Sequence, residues 1–311
     1  MTFFEVFFVI ETVFPTTAAS QDPMLRVSND HLDVSILDPD RDRPLLGPRY
    51  CAGCSIRQVS TAGNVPLLSG PEYPATPSVI NGQGAPEVFQ HTLLDDPEAI
   101  PEAKLIIGVG LVENSARLRN RDSHWTSEVL EPCRWSVREA SAALTMDTEQ
   151  RHESWHIRLR RSLQLEGTTL HSTTRIENAG RAPLPFRWFA HPFFPVHRDL
   201  RLYMQNLRGA FPSNPAFPRL DDGAIGLEND YRWAEGFFLD LPEHTGVPFI
   251  ARLQIPGHSP VEMQGSFPLL KLALWANDRT FSPEPFFGST LSAGSAEQWT
   301  VSYTFNNSRT L

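Results

Sequence analysis

Trp155-His156-Ile157-Arg158-Leu159-Arg160-Arg161-Ser162-Leu163-Gln164-Leu165, Glu166-Gly167 and Thr168-Thr169-Leu170-His171-Ser172-Thr173-Thr174-Arg175-Ile176-Glu177 form one continuous stretch that decides the fold class. Two runs with β-branched and aromatic content flank a single glycine, which predicts a long antiparallel hairpin turning at Gly167. Asn178-Ala179-Gly180 follows as a second turn signal. Outward from the hairpin, short apolar runs recur between Pro, Gly, Asn and Asp. Strands are predicted at 32–37, 55–59, 104–112, 248–255, 269–276 and 298–305. In the last of these, Trp299, Val301, Tyr303 and Phe305 alternate with Thr300, Ser302 and Thr304, the pattern of a half-buried strand. With 27 prolines spread along the chain, long helices would be broken repeatedly.

The chain has 311 residues and is 41% hydrophobic, enough apolar material for a sizeable core. No internal repeat and no sharp shift of composition marks a boundary. The reading is all-β: residues 1–24 as an extension, either disordered or a start-site artefact, and residues 25–311 as a single large antiparallel β-sandwich domain. Phe3, Phe4, Val6, Phe7, Phe8, Val9 and Ile10 imitate a signal-peptide core, but Glu5 and Glu11 interrupt it and no basic residue precedes it. That segment is also too short and too acidic to span a bilayer. The Pro-rich or acidic stretches at 65–103 and 211–230 are predicted to be long connections, binding loops or disordered.

Charge excludes further classes. The formal net charge of −9, without a basic block, argues against nucleic acid or an anionic membrane surface as partner. Lys104 and Lys271 are the only lysines and neither lies in a Gly-rich loop, which disfavours Schiff-base and phosphate-loop chemistry. Cys51, Cys54 and Cys133 leave at least one thiol unpaired, so no disulfide framework is implied and a cytoplasmic, reducing setting fits. Cys51-Ala52-Gly53-Cys54 has redox-motif spacing but sits among strand-like residues without further ligands, so neither a metal nor a cofactor is expected.

No Gly-x-Ser-x-Gly elbow, dinucleotide fingerprint or His-Glu-x-x-His helix is present, which leaves histidines and carboxylates as candidate catalysts. His191 ends the aromatic run Phe186-Arg187-Trp188-Phe189-Ala190, where a partly buried imidazole could be tuned toward neutrality or could simply be a core histidine bonded to backbone. Glu284 lies between Pro283 and Pro285, ahead of Phe286-Phe287. It reads either as a carboxylate with a raised pKa in an apolar mouth or as a solvated loop glutamate. Trp275 could stack on a sugar ring or fill the core.

Together these segments resemble the galactose mutarotase-like superfamily, the aldose 1-epimerases and their less characterised relatives. Gly47-Pro48-Arg49-Tyr50 with Gly53 to Val59 resembles the early strand pair with its Gly-x-Arg step. Ile107 to Val112 and Trp135-Ser136-Val137 resemble the middle segment of the uncharacterised branch. His191-Pro192-Phe193-Phe194 after the hairpin is similar to the strand leading to the active-site histidine, and Glu284-Pro285, Leu291 to Gly294 and Trp299 to Tyr303 to the catalytic-glutamate and closing strands. The resemblance covers about residues 25–306. It implies a supersandwich that binds a monosaccharide or other small carbohydrate, with Glu284 as base, His191 as acid and Arg49 as ligand for hydroxyls or a distal anionic group. Pro192 and Phe193 stand where better-known aldose epimerases carry Ser or Thr and then Tyr. The second family histidine has its nearest candidate in His124, and the family aspartate is unassigned, Asp240 being left outside the site. The expected activity is anomer interconversion. The alternatives are a non-catalytic carbohydrate-binding protein on the same fold and, third, a lyase or hydrolase, which as a hydrolase should show a second carboxylate at the bond to be cleaved.

Overall fold

Alternation of side chains is what makes the hairpin a sheet element with two different faces. In the computed structural model, which describes residues 24–70, 83–90, 102–113, 127–205, 211–241 and 246–306, strands β1 to β20 are numbered in chain order. β10 (Trp155–Glu166) pairs antiparallel with β11 (Thr169–Asn178), from Ile157 opposite Asn178 to Glu166 opposite Thr169. Ile157, Leu159, Leu163, Leu165, Leu170 and Ile176 are buried, whereas Arg158, Arg160 and Gln164 are exposed. Each such fully buried aliphatic side chain contributes roughly 1.5–3 kcal/mol.

The hairpin lies in an eight-stranded sheet. Its order is β14 (Arg201–Met204), β16 (Pro248–Gln254), β17 (Val261–Pro268), β20 (Ala296–Phe305), β11, β10, β9 (Ala143–His152) and β8 (Ser136–Ala140). A six-stranded sheet runs β15 (Phe237–Leu241), β18 (Lys271–Ala276), β19 (Thr280–Leu291), β12 (Leu184–Ala190) and β4 (Glu87–Gln90), with β13 (Phe194–Pro195) added on β19. Two three-stranded sheets complete the described residues. One contains β1 (Leu25–Ser28), β2 (Leu32–Ile36) and β3 (Ile56–Thr61), the other β5 (Ala103–Ile106), β6 (Gly110–Glu113) and β7 (Val129–Pro132). All pairings are antiparallel, the only α-helix among the described residues is the four-residue α1 (Arg43–Leu46), and no helix there is long and apolar enough to cross a membrane. This is the all-β sandwich that the turn and strand pattern predicts.

An aromatic seam joins the two large sheets. Phe186 of β12 stacks on Trp299 of β20 at 5.2 Å, and Trp188 meets the same indole edge-on at 5.4 Å. Beside this seam two charges are buried. Arg161 points inward from β10 and its guanidinium lies 2.5 Å from the carboxylate of Glu87 on β4, with side chains 1% and 3% exposed. Ser172 and the Trp188 indole N–H also donate to Glu87, each at 2.7 Å. The desolvated pair is therefore satisfied from both sheets, which is the condition under which a buried ion pair is tolerated.

Two sequence-based expectations need correction. The predicted strand 104–112 is two strands, because Gly108 and Gly110 adopt positive φ of 76° and 132° and turn the chain between β5 and β6. The connection predicted over 65–103 contains β4, the strand that carries Glu87; its residues 71–82 and 91–101 lie outside the described set. Most of the proposed extension, residues 1–23, lies outside it too.

Replacing Glu87 with alanine strands the Arg161 guanidinium in the core, and urea unfolding should show a loss of about 3–5 kcal/mol. A loss below about 1 kcal/mol would show that the pair does not tie the sheets together.

Candidate active site

Partners directly opposite in an antiparallel ladder project to the same side, so the register of the six-stranded sheet sorts its residues into two faces. One face joins the main core through Trp188, Phe287, Leu272 and Leu274. On the other, Asp240, Ala273 and Glu284 form one cross-strand row, and Phe238, Trp275 and Ser282 form the next. On the opposite flank of the Glu284 row run Lys271, Phe286, Phe189 and Val88. Val88, Phe189, Ala273 and Phe286 make a small apolar cluster of their own, against which Tyr50 packs.

The proline pair around Glu284 fits inside a strand for a specific reason. Asn277 N–H donates to Thr280 O at 3.0 Å where β18 turns into β19, which sets the alternation along the ladder. The main-chain groups of Ser282, Glu284 and Phe286 then face β18, and those of residues 283 and 285 face the other edge. On that edge β12 pairs only as far as Phe189 opposite Phe286, and β13 begins at Phe194 opposite Phe281. Proline, which has no N–H, thus occupies the two positions where the ladder is interrupted. Glu284 is 4% exposed, not a solvated loop residue.

The interruption is made by His191-Pro192-Phe193, whose backbone turns to another partner. His191 N–H donates to Pro86 O at 3.0 Å and Phe193 N–H to Gly84 O at 2.8 Å. This places the His191 ring beside Glu284, with Nδ1 3.5 Å from Oε1, and 2.8 Å from Ser282 Oγ. Arg49 Nη2 lies 3.3 Å from His191 Nε2. Because a guanidinium only donates, Nε2 accepts, and the ring's single proton belongs on Nδ1 toward Ser282. Arg49 is held by its chain neighbours, since Cys51 N–H donates to the backbone oxygen of Glu87 at 2.9 Å.

Burial dominates the site's electrostatics. It pushes the Glu284 carboxyl up to about 8, against the pull of Arg49 and Lys271 and with the help of Asp240. Burial, and then the Arg49 charge, hold His191 well below its ordinary value. At neutral pH the resting pair is therefore a carboxylic acid beside a neutral imidazole.

Four of the five sequence-derived site residues are described. Glu284, His191 and Arg49 come together as above, and Trp275 sits at the margin with its ring edge-on to His191 at 6.2 Å. His124 lies outside the described residues. Asp240, left out by sequence reasoning, shares the Glu284 row and pairs with Lys271 at 3.0 Å. The Lys271 ammonium also lies 4.4 Å over the Phe286 ring. Ser282 was missed, although a period-two reading of β19 places residue 282 on the face of residue 284. The three cysteines are buried and unbridged, with thiols pushed up to about 11 for Cys51 and about 12 for Cys54 and Cys133, mainly by burial. Among the described residues, no group of three or more His, Cys, Asp and Glu is arranged to hold a metal ion.

Between the ordinary carboxylate range and about pH 8, folded Glu284 keeps a proton that the unfolded chain has released, so its contribution makes stability fall as pH rises through that window. Glu284→Gln should match the wild type near pH 4 and exceed it at pH 9, by on the order of 3–5 kcal/mol in urea unfolding. Equal stability at pH 9 would mean that the carboxyl is solvated.

No protein-family model and no curated protein matches this sequence. Solved structures do match over most of the chain. A galactose mutarotase-like protein from Lactobacillus casei is 16% identical, with a TM-score of 0.58, over 91% of this chain and all of that one. A galactose mutarotase related enzyme from Lactobacillus acidophilus is 14% identical, with a TM-score of 0.57, over 91% and 97% of the two chains. A provisionally named aldose 1-epimerase from Escherichia coli is 17% identical, with a TM-score of 0.58, over 90% and 97%. The chain has the galactose mutarotase-like fold.

Proposed function

We propose that this protein interconverts the anomers of an aldose by acid–base catalysis, with Glu284 and His191 as the proton-transferring pair. The observation that carries the reading is the pair itself: two titratable groups, 4% and 2% exposed, with Nδ1 and Oε1 3.5 Å apart on one face of a mutarotase-like sandwich. Glu284 takes the proton of the anomeric hydroxyl while His191 gives one to the ring oxygen. The bond from the anomeric carbon to the ring oxygen breaks, an aldehyde forms, its carbonyl turns, and closure from the other face reverses both transfers. Arg49 and Trp275 hold the sugar by hydrogen bonding and stacking. The proton balance needs no co-reactant.

The resting protonation is compatible with these roles. Carboxylic acid plus neutral imidazole, and carboxylate plus imidazolium, carry the same single proton, so the two forms are tautomers of one titration state. Substrate hydroxyls that draw Arg49 away from Nε2 and solvate Glu284 favour the second form. Activity then follows the one-proton state of the pair whichever residue holds it.

A carbohydrate-binding protein without turnover is the second reading. It is supported by the Arg49 guanidinium against His191 Nε2, which occupies the nitrogen that would face a ring oxygen. The three buried, unbridged thiols support a reducing, cytoplasmic setting for either reading.

NMR saturation transfer or polarimetry over a panel of aldoses, against spontaneous interconversion in the same buffer, tests the proposal. Glu284→Gln should lower the rate about 10²–10⁴-fold while leaving sugar affinity nearly unchanged. His191→Asn should slow turnover on the same scale. For the wild type, kcat/KM should be level through neutrality and fall about tenfold per pH unit above about pH 8, where Glu284 loses the pair's proton. Full activity in the glutamine variant, or a rate still climbing above that pH, removes Glu284 from the chemistry; sugar binding without acceleration favours the second reading.

A further inference from the structure

Tyr50 is the anomaly of the site. Its ring packs against the cluster formed by Val88, Phe189, Ala273 and Phe286, and it meets the His191 ring edge-on at 6.4 Å. Arg49 lies against the same ring, its Cζ 5.3 Å from the centroid. Among the described residues, every other aromatic ring near His191 is phenylalanine or tryptophan: Phe189 at 5.5 Å, Phe193 at 4.1 Å and Trp275 at 6.2 Å. The chain as a whole uses 20 phenylalanines and five tyrosines, so a phenol in this apolar nest is a departure from its habit.

The hydroxyl is what needs explaining, because the ring alone would pack as well as phenylalanine. Tyr50 Oη is buried, and among the described residues no protein group hydrogen-bonds to it. Tyr203 and Tyr231 show the ordinary arrangement, the first donating to Asp222 at 2.9 Å and the second to Gly236 O at 3.2 Å. A buried, unpaired hydroxyl costs folding free energy, and an orphan polar group of this kind is completed either by an ordered water or by a ligand atom; beside Arg49, His191 and Glu284 a ligand atom is at hand. The electrostatic surroundings agree, since burial raises the phenol's pKa and both Arg49 and Glu284 act on it. It therefore stays protonated at neutral pH and can donate or accept.

We propose that Tyr50 is a sugar-binding residue whose hydroxyl pairs with a ring substituent hydroxyl of the substrate, and that it thereby selects among aldoses by the position of that hydroxyl. The proposal rests on the sugar-binding reading of the site and adds to it one named contact. Position is controlled tightly. Tyr50 is fixed between Gly47-Pro48, where Gly47 takes a positive φ of 60°, and Cys51, which is pinned to the Glu87 backbone. The phenol cannot slide away from a sugar that lacks its partner, so such a sugar leaves the orphan unpaired and binds less well.

The test is Tyr50→Phe, which removes one oxygen and keeps the ring. Thermal unfolding of wild type and variant is compared first. Affinities for an aldose that the wild type binds, and for its 2-deoxy and 6-deoxy forms, are then measured by NMR titration, with turnover followed in parallel. The expected result is a melting temperature at or above that of the wild type, about tenfold weaker binding of the parent sugar, and equal binding by both proteins of the one deoxy form that lacks the partner hydroxyl. A lowered melting temperature would assign the hydroxyl to a protein partner, and unchanged affinity for the parent sugar would remove it from recognition; either overturns the proposal. If the wild type binds no aldose, the sugar-binding reading falls and this proposal falls with it. If the wild type binds or turns over sugars and the variant behaves identically, only the role of Tyr50 fails.

Discussion

The Glu87–Arg161 pair is the constraint from which the site is built. A charge in an apolar interior is tolerable only when its partner and its remaining hydrogen bonds are fixed, so both strands that carry the pair are held in register. Glu87 does this twice over. Its side chain is held by Arg161 and Ser172 from one sheet and by Trp188 from the other, while its backbone oxygen receives the Cys51 N–H. The residue before it accepts the His191 N–H, and the residue after it belongs to the apolar cluster beneath Tyr50. One short strand thus positions Arg49, Tyr50 and His191 together.

The fold was largely legible in the sequence, for reasons that differ from strand to strand. The β10–β11 hairpin announces itself because Gly167-Thr168 alone separates two long strands, and β20 because apolar and polar residues alternate from Gln298 to Phe305. β4 was hidden: it is only four residues long, lies in a Pro-rich connection, and has its ladder partner in β12, where Glu87 stands opposite Ala190. Local pattern carries no information about such a pairing. β19 was obscured by its own prolines, which mark a chain break in most sequences and here mark a break in the neighbouring ladder.

The candidate site was legible in part. His191 and Glu284 stood out by chemical type once the lysines and cysteines had lost weight, and the family resemblance paired them across 93 positions. Their separation of 3.5 Å is a property of the sheet, unreadable from either segment. Asp240 and Lys271 illustrate the same limit, since they meet only because β15 and β18 are neighbours. Tyr50 belongs to the Gly-x-Arg step, where the sequence assigns it no role, because the meaning of its hydroxyl lies in what does not surround it among the described residues.

The prolines at 283 and 285 carry a consequence of another kind. Hydrogen-bonded sheets tend to complete themselves, and a slit between two strands is ordinarily closed by sideways zipping of the backbone. Here the zipper lacks teeth: neither flank of Glu284 can offer an N–H to an approaching strand, whether β12 lengthened by mutation or an edge from another chain. The break in the ladder beside the carboxylate is therefore written into the covalent chain, and it persists through any breathing of the surrounding loops.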